Sequence, residues 1–382
     1  EREGMWCTDS TEFLKKGKES VGVARQYCGA RGKTENCQSG VFVGYTSRRG
    51  YGLVTSQLYL PESWFAEDHA QRRQDTRVPE DLGFQTKPQI ARDLLARIAQ
   101  THQFPAAWLG CDAVFGSDWA FLDAVPPGLC YFAGIRSDTL VFRTRPRVHV
   151  PRYRGRGRKP TKPRVTRGRA VPVRQLAQSK RCPWTPVVLA EGAKGPIRAE
   201  VACLRVYPTQ GGLPREAVWL FLRRTEDGQV KYAFSNAPAD TPLAELCRAA
   251  TLRWPIEQCF QDGKSQVGMD HYEHRSWPAW HRHMLYVFLA LHFATWVTSL
   301  EYTTVASSVV LVDTSPVWVP LAAWILLRER LTRPVVFGLV LAVGGSLLVG
   351  LSDTVQKHGS SPLLGNALAL TGALMAAGYW LI

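Results

Sequence analysis

Three residues late in the chain have the types and spacing for phosphoryl chemistry. Arg253, Glu257 and Lys264 stand four and then seven residues apart. On an α-helix those offsets place all three on one face. An acid between two cations suits a metal-binding carboxylate beside phosphate contacts. The same pattern also describes an ordinary ion-paired helix face. Two further acids change the weighting. Asp112 closes the apolar run Trp108–Val114, and Asp9 precedes Phe13-Leu14-Lys15-Lys16-Gly17. Acids at strand ends plus one helical acid are what two-metal phosphoryl transfer requires, because carboxylates from different elements must bridge ions roughly 3.5–4 Å apart. An all-oxygen donor set selects Mg²⁺ or Mn²⁺ rather than zinc.

These residues need a mixed scaffold. Val21–Ala24, Val41–Tyr45 and Gly52–Leu60 read as strands separated by glycines. Ile90, Leu94, Leu95 and Ile98 recur at helical spacing and predict a helix over 88–101. Trp108–Val114 reads as a buried strand, 118–150 and 198–235 as further strand material, and Thr241–Cys259 as one helix. The expected fold class is α/β.

Charge divides the chain. Of 382 residues with a net charge of +15, the last 82 carry four Lys/Arg against four Asp/Glu, so the whole excess lies in 1–300. Such a basic region favours a polyanionic partner, nucleic acid first. Its densest part, 143–169, holds twelve Arg/Lys and no acid. Proline and glycine exclude a regular helix there, and the stretch reads as a DNA-phosphate loop with salt-sensitive affinity through Arg154, Arg156, Arg158 and Lys159. The nine cysteines include no CxxC pair, which argues against a zinc ribbon and for reduced thiols. His271, His274, His281 and His283 lack a completing ligand set and read as helix-capping and packing residues. The opening Glu-Arg-Glu-Gly has no apolar signal segment, and a motif begins by Asp9, so the sequence reads as the middle of a longer protein.

Several segments together resemble bacterial insertion-sequence DDE transposases. They are Asp9-Ser10-Thr11-Glu12-Phe13-Leu14-Lys15-Lys16-Gly17, the run Ser20 to Gly29, Glu35-Asn36-Cys37-Gln38, Leu58-Tyr59-Leu60-Pro61, Gly110-Cys111-Asp112, Trp254-Pro255-Ile256-Glu257, and Gly268 to His283. The resemblance covers about residues 5–290. It implies an RNase H-like core with a β-rich basic insertion, divided as 1–117, 118–240 and 241–290. It implies that Asp9, Asp112 and Glu257 are the catalytic and metal-binding triad for two Mg²⁺ or Mn²⁺ ions. Arg253, Lys264, Lys15 and Lys16 would contact DNA, and the enzyme would work as a homodimer on transposon ends and target DNA in the cytoplasm or nucleoid. Glu12 and Ala250 depart from the family pattern, where a small residue and Tyr are usual.

Residues 291–382 are expected to form three to four transmembrane helices in a bacterial inner membrane. Met284–Leu300, Val335–Leu351 and Leu363–Ile382 carry no charge, and Val305–Leu327 carries only Asp313. Ser299 to Ala306, Thr314-Ser315-Pro316, Leu326 to Leu331 and Gly338 to Ala342 resemble the EamA-type drug/metabolite transporters. That likeness covers a slice of one repeat of a two-repeat carrier. The chain thus reads as a DDE enzyme fused to a partial transporter, with the junction expected at 289–296. Its alternatives are a transporter fragment with a replaced front end and a non-functional recombination chimera.

Overall fold

In the computed structural model the described residues are 4–47, 50–153, 160–192 and 195–299. The first half builds the strands β1 (Gly4–Leu14), β2 (Ala24–Cys28), β3 (Lys33–Ser47) and β4 (Gly50–Tyr59), then α1 (Ala70–Asp75), α2 (Lys87–Thr101), β5 (Ala106–Cys111), α3 (Ala113–Gly116), α4 (Trp119–Asp123) and β6 (Cys130–Ile135). There follow β7 (Leu140–Phe142), β8 (Arg147–His149), β9 (Arg164–Arg167), β10 (Val171–Pro172), α5 (Val173–Ala177), β11 (Thr185–Gly192), β12 (Gly195–Gln210), β13 (Leu213–Pro214), β14 (Val218–Arg224) and β15 (Val230–Ser235). The helices α6 (Leu243–Leu252), α7 (Pro255–Gln266) and α8 (Trp277–Ser299) close the described part. It divides into one compact unit of 1–261 with 273–281 and a second that takes 262–272 and everything from 282.

The first unit is organised by β1. This strand pairs antiparallel with β3, Asp9 opposite Phe42, and parallel with β5, Thr8 opposite Cys111. β5 in turn runs parallel to β6, Cys111 opposite Ala133. The order β4-β3-β1-β5-β6, three antiparallel strands followed by two parallel to the first, fits an RNase H-like core. Alternation along the strands gives the sheet two apolar faces. Val41 and Val43 join Ile90, Leu94, Leu95 and Ile98 of α2 in one core. On the opposite face Phe42 meets Phe260 edge-on at 5.2 Å and, with Phe13, the ring of Trp280 at 6.1 Å. The helix expected at 88–101 is α2, started by a capping box in which Thr86 and Gln89 exchange hydrogen bonds.

Four expectations are corrected. The predicted helix 241–259 is two helices, because Pro255 has no N–H to continue α6 and disfavours helical backbone in the residue before it. Val21–Ala24 is mostly a turn, with Gly22 at φ 72°, and the strand starts at Ala24. Part of the basic stretch is an antiparallel ribbon, β8 paired with β9, rather than a loop; Arg154, Arg156, Arg158 and Lys159 lie outside the described residues. The first expected membrane span, 284–300, begins inside α8, yet no helix among the described residues is long and apolar enough to cross a membrane. Arg282, His283 and His292 dilute the apolarity of α8. The other three expected spans lie outside the described residues.

The sheet does not end at β6. β15, β14 and β12 continue it antiparallel, Phe234 opposite Ala133, and β12 carries β11 along one half and β7 and β13 along the other. The β-rich material of 118–240 is therefore largely an extension of the core sheet. The junction at β6 depends on two glycines. A Cβ on Gly116 would lie 2.0 Å from the Gly134 carbonyl oxygen, and one on Gly134 would meet the Asp112 main chain at 3.2 Å. Gly134 is held by its pairing with Ala233 and cannot give way cheaply. Gly116→Ala should therefore cost about 1–3 kcal/mol of stability, read as a lower urea midpoint for the full chain.

Candidate active site

Parallel pairing of β1 and β5 decides where two of the acids stand. The register ends at Thr8–Cys111, so Asp9 and Asp112 follow at the same level on neighbouring strands. Asp9 lies within β1 rather than at its end, because β1 runs on beside β3 to Leu14. Asp112 leaves β5 as the N-cap of α3, and its carboxylate accepts from the N–H groups of Val114 at 3.0 Å and Phe115 at 3.4 Å. Cys7 and Cys111 on either side are fully buried.

The third acid comes from the α6–α7 elbow. Glu245 accepts from the Trp108 indole N–H at 3.1 Å and ties α6 to β5. The Cys7 thiol reaches the carbonyl of Leu252 at 3.4 Å and ties the end of α6 to β1. Ile256 and Phe260, one turn apart, bury against Gly44 and Phe42. Glu257, between them in sequence, stays largely exposed. Gly110 makes the approach possible, since a Cβ there would press on the Met5 sulfur at 2.6 Å and on Arg253 at 3.2 Å.

Arg253 occupies the centre. Its Nη2 donates to Glu257 Oε1 at 2.8 Å, and its Nη1 lies 3.7 Å from Asp9 Oδ2. That second contact is an ion pair without a hydrogen bond, and Nη1 is buried without an acceptor. Sequence spacing put Arg253 and Glu257 on one helix face. The structure instead puts Arg253 at the C-cap of α6 and Glu257 in the first turn of α7, and joins them across the elbow. Lys264 sits in the last turn of α7. Lys15 and Lys16 form the turn after β1, Lys15 half-buried and Lys16 exposed.

Electrostatics follow from burial. Asp9 is pushed up to about 7, first by loss of water and then by the Asp112 charge, against the opposing pull of Arg253. Asp112 is also raised, by burial that exceeds the help of its two N–H donors, Arg253 and Lys87. Burial pulls the Arg253 guanidinium down, but Asp9, Glu257 and Asp112 more than restore it.

Two cations escaped the sequence reading. Lys87, in the first turn of α2, places Nζ 3.3 Å from Ser10 Oγ and 3.4 Å from Glu12 Oε1, and its charge favours ionised Asp112. The unusual Glu12 thus has a cationic partner. The Thr86-Lys87-Pro88-Gln89 start signal announced the helix, not its long-range contact. Arg223 of β14 stacks on Trp254 at 4.5 Å, and nothing in an isolated strand pattern marks it. Two of the four histidines do packing work: His281 bonds the Trp277 carbonyl at 3.0 Å and lies against its ring, and His283 bonds the Gly268 carbonyl and stacks on Tyr272.

The chemistry of the donors fits a hard divalent cation in part. Asp9 and Asp112 offer half-buried carboxylates at one level whose mutual repulsion calls for positive charge. Glu257 is turned to Arg253, and among the described residues no three His, Cys, Asp or Glu side chains stand together as a metal site.

Residues 1–196 match the family model described as a DDE superfamily endonuclease, a span that contains Asp9 and Asp112 and ends before Glu257. Residues 270–351 match the EamA-like transporter family, beginning ahead of the junction expected at 289–296. No curated protein matches the chain.

The raised Asp9 gives a pH signature. Its proton is held more tightly in the folded chain than at the ordinary 3.8. The folded state therefore binds more protons between about pH 4 and 7, and stability falls as pH rises through that window. Asp9→Asn should stabilise the metal-free protein at pH 8 by about 1–4 kcal/mol and far less at pH 4, measured by urea denaturation at both pH values.

Proposed function

Since the chain belongs to the DDE superfamily of endonucleases, we propose that it is the catalytic part of an insertion-sequence transposase that cleaves and transfers DNA strands. The observation that carries this reading is the pair of half-buried carboxylates, Asp9 and Asp112, at matched positions on parallel strands beside Glu257. In this reading Asp9, Asp112 and Glu257 hold two Mg²⁺ or Mn²⁺ ions. Held by these residues, such ions would supply Lewis-acid activation of a water or a DNA 3′-hydroxyl. The chain's own residues position and neutralise. The main-chain donors of Val114 and Phe115 fix the Asp112 carboxylate. Arg253 keeps Glu257 close to Asp9 and, with Lys264, contacts DNA phosphates. Lys15, Lys16 and the basic stretch with Arg154, Arg156, Arg158 and Lys159 give sequence-independent, salt-sensitive affinity. A homodimer would bring two such sites to the transposon ends.

The test is nicking of supercoiled plasmid by the full chain with Mg²⁺. Asp112→Ala or Glu257→Ala should lower the rate at least about 100-fold, the effect of losing several kcal/mol of metal-based stabilisation. Unchanged nicking by either variant sinks the assignment, and so does activity that survives chelation.

The match at 270–351 favours a second component, a partial EamA-type transporter segment joined to the enzyme. We read this segment as a membrane attachment for the enzyme. Full-length protein should stay in the membrane pellet after alkaline carbonate extraction; recovery in the supernatant would refute the attachment.

A further inference from the structure

Four arginines on and around β12, β14 and the elbow have acceptors. Arg224 pairs with Glu200 at 3.0 Å, Arg205 donates to the carbonyls of Ala217 and Ala237, Arg248 pairs with Glu245, and Arg253 pairs with Glu257. Arg223 differs. Its side chain leaves β14 on the opposite face from Arg224 and is 8% exposed. It makes no hydrogen bond or ion pair to any described residue. Its one directed contact is with the indole of Trp254, 4.5 Å from the ring centroid. Trp254 lies between Arg253 and Pro255 in the elbow that presents Glu257.

A stacked guanidinium keeps its in-plane N–H donors free, so the Trp254 contact orients Arg223 without using its hydrogen-bonding capacity. Burying a cation without an anionic partner is costly. The charges around Arg223 show that the cost is not met inside the chain: burial and then Arg253 push its guanidinium down, and only Glu257 opposes them. Arg253, almost as enclosed, is pushed the other way by its carboxylates. Two guanidiniums within electrostatic reach of each other, Arg253 with an unused Nη1 and Arg223 with no carboxylate partner, describe a place suited to an anion that arrives with the ligand. Arginine suits a phosphate there because its planar fork takes two oxygens at once.

We propose that Arg223 is a phosphate-binding residue of this active site, supplied by the sheet extension and receiving a DNA backbone phosphate beside Arg253. The proposal rests on the DNA reading of the same site and adds a residue outside the span 1–196 that matches the endonuclease family. It also gives the extension a direct role at the reacting strand.

The experiment is DNA binding by the full chain, followed by fluorescence anisotropy of a labelled duplex across a KCl series with Ca²⁺ present. Losing one phosphate contact lowers the slope of log K against log salt by about 0.9. Arg223→Gln should show that drop and Arg223→Lys should restore the slope. Arg223→Met, whose stem still covers Trp254 without a charge, carries the same expectation as Gln and replaces it if the Gln variant does not fold. A neutral variant with the wild-type slope would show that Arg223 only packs on Trp254 and would overturn the proposal. Mg²⁺-dependent nicking by the wild type keeps the two readings apart: nicking with an unchanged Arg223 slope removes Arg223 alone, whereas a wild type that neither binds nor nicks removes both.

Discussion

Two carboxylates partly withdrawn from water at the same height on neighbouring parallel strands are the constraint around which this protein is arranged. Asp9 and Asp112 repel each other, and burial strengthens the repulsion while removing the solvent that would relieve it. Such a pair is not a source of stability. It persists because the surrounding fold over-determines it, through β1 fixed by β3 on one side and β5 fixed by β6 on the other. The molecule answers the charge with Arg253 and Lys87, which come from opposite ends of the chain's topology. One lies at an elbow more than two hundred residues downstream of Asp9, the other in the first turn of the helix that packs on the far face of the sheet.

The elbow between α6 and α7 carries more of the design than either helix. Pro255 breaks what would otherwise be a continuous helix and turns Arg253 back toward the strands. Glu245 on Trp108 and the Leu252 carbonyl on Cys7 hold the first arm. Ile256 and Phe260 hold the second. Trp254 is clasped from the sheet extension by Arg223. Core sheet, extension and elbow therefore meet at one short segment, Arg253 to Glu257, and a shift in any of them alters the spacing of the acids.

Much of this was legible in residue types. The helical period at 88–101, the apolar run before Asp112 and the strands over 41–45 and 52–60 translated directly, because each depends on local spacing. The acids suggested phosphoryl chemistry for a similar reason: few other arrangements need three carboxylates from different elements. What escaped the reading was long-range or conformational. Pro255 was visible, yet the regular spacing of Arg253, Glu257 and Lys264 outweighed it. Lys87 and Arg223 looked like ordinary surface cations until pairing and packing brought them to the acids.

The continuity of the sheet has a consequence for how the protein is made. β6 is a central strand only once β15 has paired with it, and the site is complete only when Leu252 has returned to Cys7, 245 residues away in sequence. Ribosomes add roughly 5–20 residues per second, so a nascent chain would carry β1, β3 and β5 for on the order of ten seconds or more before the elbow emerges. Until β15 emerges β6 presents an unpaired edge, and until the elbow emerges the two acids lack Arg253. The geometry of the candidate site is thus completed late in synthesis, and a chain that stops short of β15 leaves the β6 edge open to pairing with other chains.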